Sequence, residues 1–174
     1  MTALLRRPLV RILIVAGIAL VVVALCVFEP WLLVIDKKVD EAAPVVTAAA
    51  PQPDQRELLA RGDLVSHEHA STGAVELLRL PDGSRVLRLV DLRTSNGPLL
   101  KVWLTDAPVL AGNAGWHVFD DGRHVDLGEL KGNIGSSNYA VPADVDLQGL
   151  SSVTIWCDRF SVSFAAAALQ PVIH

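Results

Sequence analysis

Residues 74–92, AVELLRLPDGSRVLRLVDL, decide the fold class of this 174-residue chain. Two short apolar runs, residues 74–80 and 85–92, flank the turn sequence Pro-Asp-Gly at positions 81–83. Glycine supplies the positive φ that such tight turns require, and short apolar runs bounded by turn residues are typical of β-strands. The stretch therefore predicts a β-hairpin.

The same alternation of short apolar runs and turns continues after residue 60, where no window shows a 3.6-residue apolar period. The sequence Asp-Asp-Gly at 120–122 is expected to form a second hairpin turn. We therefore predict an all-β domain, either an antiparallel β-sandwich or a small barrel. The tail at 165–170 fits a helical turn and a final strand equally well. The expected strands are 63–67, 74–80, 85–92, 99–105, 116–119, 124–127 and 153–164.

The mean hydropathy of +0.40 is unusually positive for a soluble protein, and much of it comes from the amino end. Residues 12–28, ILIVAGIALVVVALCVF, contain no charged or strongly polar side chain. With Leu9 and Val10 they approach the ~20 apolar residues that cross a bilayer as a helix. Trp31 follows where an aromatic interface anchor is expected. We predict a single N-terminal transmembrane helix over residues 9–28, which makes the membrane the first expected partner.

Basic residues determine the expected orientation of this helix. Arg6, Arg7 and Arg11 precede the span, whereas Lys37 and Lys38 follow it at a distance. Because basic residues accumulate on the cytoplasmic side, the N-terminus is expected in the cytoplasm. The C-terminal domain is then extracytoplasmic, on a protein that crosses the cell membrane once.

An uncleaved signal anchor is the best interpretation of the span. A cleaved signal peptide requires small residues directly after the apolar run, and Phe28, Glu29 and Pro30 do not meet that requirement. A lipoprotein requires a small residue before the modified cysteine, but Leu25 precedes Cys26.

Composition divides the chain into four parts. Residues 1–8 form a short basic segment, 9–28 the anchor, 29–57 a juxtamembrane and Ala/Pro-rich linker, and 58–170 the β-domain. The prolines and alanines of the linker predict an extended tether that does not pack. The formal net charge of −4 argues against nucleic acid as a partner, because nucleic-acid-binding domains carry a basic surface.

Two stretches near the C-terminus carry a more specific pattern, LGELKGNIGSSNYAVP at 127–142 and SVTIWCDRFSVSF at 152–164. GDLVSHEHASTG at 62–73 and LRLVDLRTSNGPLLKVWL at 87–104 support it. Over residues 60–169 the combined pattern resembles the DM13 domain, a β-rich extracytoplasmic module. A single signal anchor followed by one such domain is also similar to actinobacterial members of that family.

The resemblance implies a role in electron transfer. DM13 domains are described as electron-transfer modules in which one cysteine acts as a bare redox thiol or as a ligand to a group such as haem. The matching position in this chain is Cys157. The resemblance also implies a redox partner on a separate molecule, whose identity the sequence leaves open.

Cys157 is the one cysteine in the part of the chain expected outside the membrane, since Cys26 lies within the span. An unpaired cysteine in an oxidising compartment is either a functional thiol or ligand, or a buried and unreactive hydrophobe. Strand periodicity places Cys157 on the inward face with Val153 and Ile155. The apolar positions downstream change parity, which predicts a β-bulge or bend at residues 158–159.

His67 and His69 are expected on one face of a strand, where they would join Cys157 or a carboxylate to bind a metal or haem. Two histidines do not specify a site, so no metal site is assigned and the cofactor stays unknown. Tyr139 and Trp156 are weaker supporting candidates, and Trp156 is also expected to pack across strands.

The sequence favours a non-enzymatic module over an enzyme. It contains no recognisable triad spacing, no phosphate loop and no dinucleotide-binding motif. The alternative to electron transfer is a binding or structural module of the cell envelope, in which Cys157 only packs. Such a module would present loops, for example residues 128–139, to a protein or glycan partner.

Overall fold

Within the described residues, 8–44 and 56–172, the computed structural model shows two antiparallel β-sheets of five strands each. Two short 3₁₀ helices span Pro30–Val34 and Gly112–Gly115. The main elements in chain order are α1 Pro8–Phe28, β1 Glu57–Asp63, β2 Val65–Ser66, β3 Thr72–Arg79, β4 Arg85–Arg93, β5 Leu100–Thr105, β6 His124–Glu129, β7 Ile134–Val141, β8 Ser152–Cys157, β9 Val162–Ala168 and β10 Gln170–Pro171. The first sheet has the order β10-β1-β3-β4-β7 and the second β2-β9-β8-β5-β6. The predicted antiparallel β-sandwich behind one apolar helix is confirmed.

The core lies between the two sheets and follows the two-residue alternation of apolar side chains. Leu87 and Leu89 of β4 face Val102 and Leu104 of β5 in one buried cluster. Each such side chain stabilises the fold by about 1.5–3 kcal/mol when it leaves water. A slip of one residue in the strand pairing would move every apolar side chain of a strand to the solvent face. The burial of these side chains therefore specifies the register.

The hairpin turn predicted at residues 81–83 is confirmed between β3 and β4. The backbone N–H of Leu80 donates to the carbonyl of Ser84 at 2.8 Å, and Gly83 has a φ of 83°. The carboxylate of Asp82 accepts the N–H of Ser84 at 2.9 Å. Each residue type thus occupies the turn position that its local chemistry favours.

The strand predicted at 116–119 is wrong, so the residues at 120–122 do not form the predicted hairpin turn between 116–119 and 124–127, and lie instead in the long connection between β5 and β6. Both belong to the loop 106–123, which covers the outer face of the second sheet. Phe119 of this loop is fully buried and packs edge-on against Trp156 at 6.5 Å. The apolar side chains of this stretch are therefore buried by a loop instead of a strand ladder.

The run predicted as one strand at 153–164 is a hairpin. β8 ends at Cys157, the chain turns through residues 158–161, and β9 follows. The change of parity in the apolar pattern comes from this reversal, so the β-bulge or bend predicted at 158–159 is wrong. The prediction that Cys157 faces the core is confirmed. Of the two predictions for the tail, a final strand is correct.

Residues 128–139, expected to be a partner-binding loop, are mostly strand. β6 and β7 leave only residues 130–133 between them. Gly128 and Gly135 have φ values of 113° and 104°, a region that other residues rarely adopt. The glycines thus mark backbone irregularities at the ends of two strands, and the expected loop is wrong.

Residues 36–42, which the sequence assigns to the linker, lie along the outer edge of β7. The N–H of Val39 donates to the carbonyl of Ile134 at 2.9 Å, and the N–H of Glu41 continues this ladder at 2.8 Å. This part of the expected tether therefore packs on the first sheet. Residues 45–55 lie outside the described residues.

α1 has the length and composition to cross a membrane. It has 21 residues, none of them buried, and its most apolar window has a mean hydropathy of 3.0. A signal sequence near the N-terminus meets the same criterion. The helix fits single-pass membrane anchoring. Arg6 and Arg7, which contribute to the expected orientation, lie outside the described residues.

Gly135→Ala is expected to detach residues 36–42 from β7, because its Cβ would overlap the carbonyl oxygen of Val39. Gly128→Ala is the matched control, since it has a similar φ but open space around the new Cβ. Both variants should lose about 1–3 kcal/mol of unfolding free energy through backbone strain. Only Gly135→Ala should also accelerate amide hydrogen exchange at Val39 and Glu41. Equal exchange rates in the two variants would argue against the docked segment.

Candidate functional site

Cys157 ends β8 and is fully enclosed at one end of the sandwich. Its side chain is 0% exposed in the core between the sheets. In the ladders it pairs with Leu100 of β5 and Val162 of β9. The thiol donates a hydrogen bond to the carbonyl oxygen of Pro98 at 3.3 Å. The sulfur is thus packed among apolar side chains with one polar acceptor.

Burial raises the pKa of the Cys157 thiol above its ordinary value, and the nearby charges of Glu68 and Asp158 raise it further. Hydrogen bonds from the backbone of Phe160 and Arg159 oppose the rise without reversing it. The thiol is therefore protonated at neutral pH. Because the thiolate is the nucleophile, this environment opposes covalent thiol chemistry.

Two loops close over the sulfur. Pro98 belongs to the β4–β5 connection, and the N–H of Asp158 donates to the carbonyl of Leu99 at 3.1 Å, which joins this connection to the β8–β9 turn. Gly97 is buried, and a Cβ there would lie 2.9 Å from the ring of Phe164. Glycine at this position therefore lets the connection approach the core closely.

His67 lies over the outer face of the second sheet. Its Nε2–H donates to the carbonyl oxygen of Leu110 at 2.9 Å, so its Nδ1 accepts the hydroxyl of Ser163 at 2.7 Å. Its ring centroid lies 5.7 Å from that of Phe119. Burial lowers the pKa of His67, although the hydrogen bond to Leu110 partly opposes this. Both ring nitrogens are occupied by protein partners, which leaves neither for a metal.

His69 lies apart from His67 because the chain bends directly after β2. Its ring centroid is 4.0 Å from that of Phe164, and its Nε2 lies 3.2 Å from the carboxylate of Glu68. Phe164 belongs to the core between the sheets, whereas His67 is bound on the outer face. The prediction that His67 and His69 face the same side of a strand is therefore wrong, and the strand predicted at 63–67 is reduced to β2.

A family model described as "Electron transfer DM13" matches residues 63–169. The chain belongs to the DM13 family. The match begins at the end of β1 and extends past β9, so the DM13 domain comprises most of both sheets and excludes α1. The resemblance noted over residues 60–169 is confirmed. No curated protein and no solved structure matches the chain.

The two weaker candidates are packed side chains in this DM13 domain. Trp156 is 1% exposed, and its ring centroid lies 5.1 Å from that of Trp103 in the cluster on the outer face. Tyr139 is 3% exposed on β7 of the other sheet, where its hydroxyl accepts the N–H of Lys131 at 3.0 Å. Strand alternation places Trp156 and Cys157 on opposite faces of β8.

The DM13 domain does not bring its candidate ligands together. Across residues 8–44 and 56–172, no three His, Cys, Asp or Glu side chains are grouped closely enough to hold a metal ion. The second sheet separates Cys157 from His67, and His69 is paired with Glu68. These residues therefore do not fit a metal centre that joins Cys157 to either histidine. Haem on Cys157 does not fit either, because the sulfur is enclosed by apolar side chains and donates to Pro98.

The polar groups around Cys157 and His67 could not be identified from the sequence. Cys157 bonds Pro98 and lies near the charge of Glu68, and His67 bonds Leu110 and Ser163. Pro98 is 59 positions from Cys157, and Ser163 is 96 positions from His67, so no local pattern indicates either pair. Ser163 did carry a weak signal, because a polar residue within an otherwise apolar buried strand requires a hydrogen-bond partner.

Cys157 should resist thiol reagents in the folded protein. In the full chain with Cys26→Ala, we expect dithiobis(nitrobenzoate) to react at least about 100-fold more slowly than in the unfolded protein, because burial suppresses the thiolate. The absorbance of the released nitrothiobenzoate measures the rate. Similar rates in native buffer and in guanidinium would refute the enclosed thiol.

His67 should make stability decrease as the solution is acidified. Because the folded state lowers the pKa of His67 below the unfolded value of about 6.5, the unfolded state binds the proton first. The unfolding free energy should therefore fall from about pH 7 to about pH 5. His67→Gln, whose amide can bond both Leu110 and Ser163, should remove the part of this decrease that His67 causes. The exposed control His117→Gln should show the same decrease as the wild type. An unchanged profile of denaturation midpoints in His67→Gln would disprove the assignment.

Proposed function

We propose that this protein is a membrane-anchored electron-transfer module, with its DM13 domain outside the cell membrane and Cys157 as the redox group. The family match over residues 63–169 carries the proposal, because the family is described by electron transfer. The exposed, apolar α1 supports the anchoring. The basic residues Arg6, Arg7 and Arg11 support a cytoplasmic N-terminus.

The enclosed thiol limits how Cys157 would act. Thiol–disulfide exchange requires attack by an accessible thiolate, whereas this sulfur is buried and its pKa is raised. The proposal therefore contains no disulfide with a partner. A redox partner would instead dock on the 158–161 turn or on the connection that contains Pro98, and take one electron from the sulfur without touching it. The thiol would release its proton to water as the electron leaves, and the resulting thiyl radical would regain both when the partner returns the electron.

A second candidate function is a binding or structural module of the cell envelope. The observation that favours it is the complete burial of Cys157 in the core, which is an ordinary position for a free cysteine that only packs. Because residues 128–139 lie mostly in strands, such a module would bind through another surface. The two candidates differ in a measurable respect, since only electron transfer needs the sulfur atom.

Protein-film voltammetry of the full chain in a supported bilayer tests the proposal. Electron transfer through Cys157 predicts a reversible signal in the wild type that Cys157→Ser abolishes and Cys26→Ser retains. Cys157→Ala provides a second variant, because it introduces no polar group into the core. Near-ultraviolet circular dichroism establishes that each variant keeps its packed core.

Two results would contradict the redox role of Cys157. One is a signal of unchanged size in folded Cys157→Ser and Cys157→Ala, and the other is a folded wild type without any signal. Either result would favour the binding or structural module. Loss of the signal in Cys26→Ser alone would be a third contrary result, since it would assign the redox chemistry to the helix.

A further inference from the structure

Two apolar side chains protrude from the end of the sandwich that holds Cys157. Phe160, in the β8–β9 turn, is 44% exposed, and Leu99, in the β4–β5 connection, is 43% exposed. Among the described residues, they are the most exposed large apolar side chains of the β-domain. The hydrogen bond from Asp158 to Leu99 joins the two loops. We call Leu99 and Phe160 together the apolar tip.

The backbone beside the apolar tip is strained. Leu99 has a φ of 52°, and Ser161, next to Phe160, has a φ of 49°. This left-handed region costs about 1–2 kcal/mol for a residue with a side chain, and a bulky leucine rarely adopts it. The hydrogen bond that the carbonyl of Leu99 accepts from the N–H of Asp158 at 3.1 Å helps to hold this conformation. The strained backbone thus keeps two apolar side chains exposed at this end of the sandwich.

The apolar tip contacts the end of the apolar helix. Phe28, the last residue of α1, stacks on Phe160 with ring centroids 5.9 Å apart and 10° between the planes. None of the residues of α1 is buried, so the helix extends away from the β-domain. Trp31, three residues after Phe28, is 43% exposed. If α1 spans a bilayer, Phe160 and Trp31 lie where the hydrocarbon meets the head groups.

The chain between α1 and the β-domain is too short to let the domain move far from the membrane surface. Seven residues, 29–35, separate α1 from the docked residues 36–42. Five of them form a 3₁₀ helix, which is about 10 Å long at ~2.0 Å per residue. The side chain of Asn96, in the connection that carries Leu99, also donates to the carbonyl of Ile35 at 3.1 Å.

The charged residues near the apolar tip carry both signs. Asp158 is followed by Arg159, and Asp36 is followed by Lys37, all of them exposed. Such a surface lacks the clustered positive charge that draws proteins to anionic lipids. The apolar side chains, and not the charges, are therefore suited to contact the membrane.

We infer that the apolar tip inserts into the interface of the bilayer that α1 spans, so that the Cys157 end of the DM13 domain rests on the lipid surface. The inference rests on the membrane anchoring proposed above, and it goes further by assigning the face of the domain that meets lipid. A redox partner would then reach the Cys157 end from within the membrane or along its surface.

The test places a fluorophore on the apolar tip of the full chain. Phe160→Cys and Leu99→Cys, each with Cys26→Ala, are labelled with nitrobenzoxadiazole and reconstituted in phosphatidylcholine vesicles. Ala143→Cys, exposed at the opposite end of the sandwich, is the matched control, and the chain without an added cysteine measures any labelling of Cys157. Acyl-brominated phosphatidylcholine should quench the tip labels at least about twofold more than the control, because its bromines lie in the hydrocarbon core.

The outcomes separate the inference from the anchoring on which it rests. Equal quenching at the tip and at position 143, in protein that resists extraction by alkaline carbonate, would overturn the inference and leave the anchoring intact. Release of the protein by carbonate would overturn both. A blue-shifted tip label that brominated lipid does not quench would also overturn it, since protein, such as a second copy of the chain, would then cover the tip.

Discussion

Burial of both faces of β8 is the constraint on which the rest of the structure depends. All six residues of Ser152–Cys157 are buried. The first sheet covers the inner face, and the loop 106–123 covers the outer face through Phe119. A strand enclosed on both sides cannot slip in register without burying the wrong side chains, so β5 and β9 pair with it in one way. Because successive side chains of β8 point to opposite faces, Cys157 lies in the core between the sheets and Trp156 lies under the loop 106–123.

This separation decides which chemistry each face can support. On the outer face Ser163 links two other polar side chains, since it contacts the hydroxyl of Thr154 at 2.8 Å and the ring of His67 at 2.7 Å. Such buried hydrogen bonds hold these side chains in fixed positions. On the inner face Cys157 has Pro98 as its acceptor and apolar side chains around it. Electron transfer, if it uses the thiol, is thus confined to the end of the inner face, where two loops meet.

The docking of residues 36–42 on β7 ties this end of the domain to the helix. The side chain of Asn133 accepts the N–H of Lys37 at 2.7 Å, and Gly132 and Gly135 leave space for the docked backbone that a Cβ would fill. Because seven residues connect this segment to α1, the placement of the Cys157 end follows from chain length as well as from contacts. The two glycines and the short connection therefore help to determine which end of the domain would face a membrane.

The sequence by itself determined the features that depend on near neighbours in the chain, which are the turn at 81–83, the apolar helix, the strand-rich class and the inward direction of Cys157. Its patterns did not distinguish a strand from a loop at 116–119, because a loop that covers a sheet needs the same apolar side chains as a strand. Only the tertiary structure decided that the thiol of Cys157 is enclosed and which group it bonds. Pro98, the acceptor of the thiol, stands 59 positions from Cys157, and two residues so far apart meet only because the sheets pack and close that end of the sandwich.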